Sequence, residues 1–172
     1  MALDKKIIFG ISIIFILTIS RLIPHPPNFT PILSMAFFAG AVFDKKIPAY
    51  FIPILAMLIS DFFLGFHSSM VVIYFALCIC VLIGTIVNSR FNLFTSFLGI
   101  CGGVFAFYLI TNFAVWYGSG MYDYNFNGLF TCYIMGLPFL QNTFLSSLIY
   151  GMAACSLYLW TDKYLKFTQK HA

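Results

Sequence analysis

The chain has 172 residues, of which 62% are hydrophobic and only 8% charged, with a formal net charge of +4 and a mean hydropathy of +0.97. Because soluble domains carry about 25% charged residues, this composition excludes a water-soluble globular protein and predicts an integral membrane protein. The basic residues lie singly or in pairs at the ends of apolar segments, so the positive charge does not indicate nucleic-acid binding.

Apolar segments, taken in chain order, predict six transmembrane helices in one bundle. A helix that spans the bilayer needs about 20 apolar residues, with about 17 as a lower limit. The second segment is shorter than this, so we expect it to end inside the membrane. The first is not expected to be a cleaved signal peptide, since no small-x-small cleavage site follows it. The prediction is an all-α integral membrane protein whose single domain, 1–172, has helices at about 7–23, 32–43, 49–64, 70–87, 93–116 and 142–160.

The distribution of charge predicts the orientation. With six spans both termini lie on one side, and eight of the nine basic residues fall on that side. Arg21 alone falls on the other. By the positive-inside rule, the lysine-rich side is cytoplasmic. We therefore expect a multi-pass protein of a bacterial cytoplasmic (inner) membrane with both termini in the cytoplasm.

The connection at 21–31 reads Arg-Leu-Ile-Pro-His-Pro-Pro-Asn-Phe-Thr-Pro. Its prolines cannot continue a helix, and each restricts the residue before it to extended conformations. The connection is therefore stiff, and it carries Arg21 and His25. Two interpretations remain open from this stretch alone, a binding site and a rigid turn between helices.

Three connections, at 21–31, 65–69 and 117–141, meet on the face opposite the lysines and hold most of the unusual polar and aromatic residues. An aromatic belt at the membrane interface is one interpretation. A belt should occupy both faces, however, so we favour an outward-facing pocket for a small molecule. The longest connection, with turn signals at Gly118, Gly120 and Gly128, is predicted to be a mobile lid. The candidate substrate-binding residues are Arg21, His25, Asn28, Asp61, His67, Asn112, Trp116, Tyr122, Tyr133 and Asn142.

Two further predictions concern the interior. Asp61 lies three residues before the end of the third predicted helix, and a carboxylate at that depth needs a partner. Arg21 is the expected one. Small residues spaced four apart, Ala36 with Gly40 and Gly99 with Gly103, predict close packing between helices inside the bundle. The five cysteines lack metal-binding spacing, and no metal, cofactor or catalytic residue is predicted.

The Arg-x-x-Pro-His-Pro-Pro-Asn-Phe-Thr-Pro run, with Ser60-Asp61, Gly65-Phe66-His67 and Thr111-Asn112-Phe113-x-x-Trp116, resembles a family of short bacterial membrane proteins of unassigned function. That family is similar in layout to the substrate-binding (S) subunits of energy-coupling-factor (ECF) vitamin transporters. The resemblance implies six helices and an outward pocket closed by the first, third and fifth connections. It also implies a transmembrane coupling subunit with ATPases as a partner. In one branch of such proteins a cysteine near the pocket ligates cobalt; His25 and His67 are the comparable ligands here.

The leading functional hypothesis is a membrane-embedded substrate-binding subunit of a vitamin-type uptake transporter, not an enzyme. Its partners would be a small-molecule ligand, the lipid bilayer and the coupling subunit. Two alternatives come from other classes. One is a membrane assembly or scaffold protein. The other is a membrane-embedded enzyme that uses Asp61, His25 and His67 as acid–base groups.

Overall fold

The computed structural model describes residues 8, 10–12, 14–16, 18, 19 and 21–170, with side chains as far as residue 164. The described residues between 8 and 19 are helical and form the N-terminal segment. Five helices follow: α1 Ile32–Val42, α2 Lys46–Leu64, α3 Met70–Asn88, α4 Leu93–Gly118 and α5 Phe126–Lys170. No strand occurs in the part of the chain that the structure describes, so the predicted all-helical class is confirmed.

Four of these helices, α2 to α5, are long and apolar enough to cross a membrane. The protein is therefore a membrane protein with several transmembrane helices. The described ranges contain four such helices, whereas six were predicted. Of the other two predicted helices, α1 has only 11 residues, and the N-terminal segment is described only in part. The predicted helix start at Ile7 and the lysines at positions 5 and 6 lie outside the described residues.

Helix α1 forms the centre of the bundle. Nine consecutive residues, from Leu33 to Ala41, are buried, so the helix is surrounded on all sides. A helix that is apolar all round is one that packs inside a larger structure. The surrounding helices instead expose large apolar side chains, including Phe75, Phe105 and Ile149, to the exterior. This arrangement suits contact with lipid tails.

The small residues predicted to pack between helices do so where α1 crosses its neighbours. A Cβ added at Gly40 would lie 2.1 Å from the carbonyl oxygen of Val81, and one added at Gly84 would lie 2.1 Å from that of Phe37. A Cβ at Gly99 would meet the ring of Phe37 at 2.3 Å. Helix α1 can approach α3 and α4 this closely only because these positions lack side chains.

The short length of α1 brings the preceding connection deep into the bundle. Asn88 at the end of α3 donates to the Ala41 carbonyl at 2.9 Å, so both helices end at the same level. At 1.5 Å per residue, α1 is about 16 Å long and α3 about 28 Å. Connection 21–31 therefore ends, at Pro31, about halfway down the bundle, while its residues 22–28 stay exposed. Asn142 of α5 donates to the carbonyl of Pro27 in this exposed part at 3.0 Å. Irregular backbone at such depth is tolerated where protein encloses it or where it lines a cavity.

The long lid predicted at 117–141 is wrong. Helix α5 begins at Phe126 rather than at Asn142 and is continuous for 45 residues with Pro138 inside it. The side chain of Asn125 accepts from the Gly128 N–H at 2.8 Å, which caps the helix. The Asn127-Gly128 pair thus lies in the first helical turn rather than in a loop. The true turn comes earlier, where Gly120 has φ 68°.

Candidate functional site

A buried ion pair lies beside the proline-rich connection. Arg21 Nη1 is 2.7 Å from Asp61 Oδ1, and the two side chains are 12% and 1% exposed. The hydroxyl of Tyr74 donates to Asp61 Oδ2 at 2.8 Å, and Arg21 Nη1 also donates to Ser60 Oγ. The predicted pairing of Arg21 with Asp61 is confirmed. The pair is electrically neutral as a unit and ties the connection to α2 and α3.

Next to this pair is a chamber of about 270 Å³, here called the first chamber. Connection 21–31 supplies the side chains of Arg21, His25 and Asn28, and connection 65–69 supplies His67. Thr30 of connection 21–31 also lines it, and the remaining lining comes from helices and is mostly apolar. Among the described residues that line it there is no carboxylate, since Asp61 lies behind Arg21. The full lining is Arg21, His25, Asn28, Thr30, Ile32, Leu33, Met57, Leu64, His67, Ile73, Phe107 and Thr143.

A larger space of about 580 Å³, the second chamber, adjoins the first. It lies between the start of α3, the outer half of α4 and the first part of α5. Its polar lining includes Ser68, Ser69, Thr111, Asn112 and Tyr122. The two serines remain available to the chamber because Ser69, although at the N-cap of α3, makes no capping hydrogen bond through its side chain.

Asn28 lies where the chambers meet. It lines both of them, as does Phe107, and both residues also line a gap of about 30 Å³ between α4 and α5. The backbone of Asn28 has φ 60°, in the left-handed region that most residues avoid and that asparagine tolerates better. Asn28 thus combines an unusual backbone conformation with a place in the lining of both chambers. Such backbone outliers cluster at binding sites.

Six of the ten candidate site residues line the chambers: Arg21, His25, Asn28, His67, Asn112 and Tyr122. The other four do not line either space. Asp61 supports Arg21 from behind, and Asn142 holds the Pro27 carbonyl. Tyr133 donates to the carbonyl of Leu109 at 2.9 Å.

Trp116 lies on the hairpin formed by α4 and α5, away from the chambers. Its indole N–H donates to the Asp123 carbonyl at 2.9 Å, and its ring packs against Phe113 and Tyr124 at centroid distances of 5.4 and 5.8 Å. The Tyr124 hydroxyl in turn donates to the carbonyl of Tyr117 at 2.8 Å. These rings stabilise the hairpin turn, which is a structural role.

Sequence reasoning missed several lining residues on helices. One face of α4 lines the second chamber through Phe107, Thr111 and Gly118, which recur at helical spacing. This periodicity was the signal in the sequence that could have identified them as lining residues. Phe139 and Thr143 are one turn apart on α5. The sequence analysis places Phe139 in a predicted loop, where helical spacing has no meaning, so this pair was not recognised as one face of a helix.

The described residues form no cluster of side chains that could hold a metal ion. No group of three or more His, Cys, Asp or Glu side chains occurs there. His25 and His67 do line the same chamber, and all five cysteines are free thiols on helices.

A family model described as "Family of unknown function (DUF6580)" matches residues 1–169. No curated protein and no solved structure matches the chain.

Proposed function

We propose that this chain, which belongs to the DUF6580 family of unknown function, is a membrane-embedded substrate-binding protein that captures a small molecule in the two chambers. The observation that carries the proposal is the convergence of connections 21–31 and 65–69 and the α4–α5 hairpin around adjoining spaces that share Asn28. Small-molecule sites are roughly 300–1,000 Å³. The second chamber, at about 580 Å³, lies within this range, and the first, at about 270 Å³, lies just below it.

The lining favours a neutral or anionic ligand that contains a ring. The charge of Arg21 is balanced by Asp61, and the lining residues of the first chamber include no carboxylate to attract a cation. His25, His67 and the Asn28 amide can each donate or accept a hydrogen bond. Phe107 and Tyr122 supply aromatic faces for a planar group.

The position of the chambers supports capture from the extracytoplasmic side. They lie at the end of the bundle away from Lys45, Lys46 and Arg90, which by the positive-inside rule mark the cytoplasmic end. We propose uptake as the purpose of this binding, with the protein serving as a vitamin-type substrate-binding subunit similar to ECF S components. The chain has no nucleotide-binding signature, so ATPases coupled through a transmembrane partner would supply the energy.

The experiment is identification of a copurified small molecule by mass spectrometry, followed by binding measurements on Asn28 variants. Asn28→Gly keeps the left-handed backbone accessible and removes only the amide. We expect it to weaken binding by roughly tenfold, the equivalent of a neutral hydrogen bond of about 1.4 kcal/mol, with little change in thermal stability. Asn28→Ala removes the same amide and also strains the backbone, so it should lose stability as well.

Asn127→Ala is the matched control, because Asn127 is an exposed asparagine on the hairpin, outside both chambers. This variant should bind the copurified ligand with the same affinity as the unchanged protein. Equal loss of binding in Asn127→Ala and Asn28→Gly would contradict the proposed site. Failure to recover any ligand from membranes of cells grown in minimal and in rich medium would contradict the proposed function.

A further inference from the structure

A third space lies on the outer surface of the α4–α5 pair, away from both chambers. It is a groove of about 560 Å³ lined by Cys101, Val104, Phe105, Leu137, Leu140, Gln141 and Phe144. Six of these side chains are apolar or thiol. Gln141 is exposed on this surface.

Gln141 lies near the middle of the membrane-spanning region. The groove places it beside Cys101, Val104 and Phe105 of α4. At the same height on α4, the Cβ position of Gly103 is 3.3 Å from Cys80 Sγ, and Cys80 lies next to the midpoint of α3. An exposed amide at this depth faces hydrocarbon rather than water.

Two features of this stretch of α5 leave polar groups short of hydrogen-bond partners. The side chain of Gln141 makes no hydrogen bond within the described part of the chain. Pro138, three residues earlier, has no N–H, which leaves the carbonyl of Ile134 without its partner in the helix. Lipid tails cannot satisfy either group, whereas side-chain amides join transmembrane helices by hydrogen bonds across their interface.

We infer that this groove is the interface with a second copy of the chain in the membrane. A twofold axis normal to the bilayer keeps every residue at its own depth, so Gln141 meets the Gln141 of the other copy. A carboxamide both donates and accepts, which makes the pair self-complementary. Leu137, Gln141 and Phe144 lie one turn apart in succession on one face of α5, the spacing of a helix that packs along another helix.

Cysteine cross-linking in native membranes tests the inference. The full-length chain carries Leu137→Cys, which lies in the groove one turn from Gln141 and leaves the amide in place, and its two partly exposed native cysteines, Cys78 and Cys101, are replaced by alanine. Leu82→Cys in the same background is the matched control, since Leu82 is exposed at a similar height on α3 but lies outside the groove. Mild oxidation should join the Leu137→Cys chains into a species of twice the monomer mass and leave Leu82→Cys monomeric.

A second measurement does not depend on introduced cysteines. Gln141→Leu keeps an apolar surface and removes the amide, and single-molecule photobleaching in liposomes should show a dimer weakened by roughly three- to tenfold. No cross-link at Leu137→Cys, an equal cross-link at Leu82→Cys, an adduct with a different protein, or an unchanged dimer fraction in Gln141→Leu would each overturn the inference.

Discussion

Asp61 is the residue on which the geometry of the first chamber most depends. Its carboxylate lies 2.7 Å from Arg21 and accepts a hydrogen bond from Tyr74, and it is fully buried. An ionised pair at this position is stable only while both members are present, because the cost of burying either charge alone is large. The carboxylate therefore sets where the guanidinium lies in the chamber wall without itself facing the ligand.

Asp61→Asn should destabilise the protein by about 3–5 kcal/mol, since it leaves the Arg21 charge buried and unpaired. The double variant Asp61→Asn with Arg21→Gln should recover much of that loss. Thermal unfolding in detergent compares the stability of the single and double variants with that of the unchanged protein. Asp123→Asn is the control, because Asp123 is exposed on the hairpin turn. Strictly additive effects of the two single changes would show that the pair contributes nothing to stability.

At the scale of elements, the α4–α5 hairpin shows why local signals misplace a boundary. Asn-Gly is a strong turn signal in isolation, and Gly128 does approach another backbone closely, at 2.1 Å from its Cβ position to the Asp123 carbonyl oxygen. Gly128 lies in the first turn of α5, and its N–H donates to the Asn125 side chain that caps the helix. The proline at position 138 likewise lies inside α5, and its side chain is exposed rather than packed by neighbouring helices. The start of α5 is thus set by contacts within its own first turn, which the Asn-Gly signal taken alone does not report.

The crossing of α1 and α3 allows a matched test of glycine packing. Gly40→Ala and Gly84→Ala each place a methyl group 2.1 Å from a backbone oxygen of the other helix. Each should destabilise the bundle by about 3 kcal/mol or more, because neither backbone can move without separating the helices.

Gly102→Ala is the control, because a Cβ there meets nothing within 4 Å. It should leave stability unchanged or raise it by up to about 1 kcal/mol through helix propensity. Thermal melts of the purified variants provide the measurement. If Gly40→Ala and Gly102→Ala have the same melting temperature, the close crossing of α1 and α3 does not exist in the membrane.

For the whole molecule, composition predicted the all-helical membrane class, and the three polar connections predicted where the chambers lie. The depth of connection 21–31 was predicted only in part, since the short second segment indicated that α1 ends inside the membrane but not at which end. It follows from the short α1, whose end is fixed by Asn88, and from the bond between Asn142 and the Pro27 carbonyl. Both contacts join residues far apart in sequence, and no periodicity in a single segment reports them.

The orientation of the bundle is the remaining property of the whole molecule that charge predicts. Lys45 precedes α2 at one end, and Ser119 follows α4 at the other. Introducing cysteine at each position, with Cys78 and Cys101 replaced by alanine, allows labelling of intact cells by a membrane-impermeant maleimide. We expect Ser119→Cys to be labelled and Lys45→Cys to be labelled only after the membrane is opened, since lysine-rich ends remain in the cytoplasm. Labelling of Lys45→Cys in intact cells would show that the orientation is the opposite one, with the chambers facing the cytoplasm. That orientation is incompatible with capture for uptake.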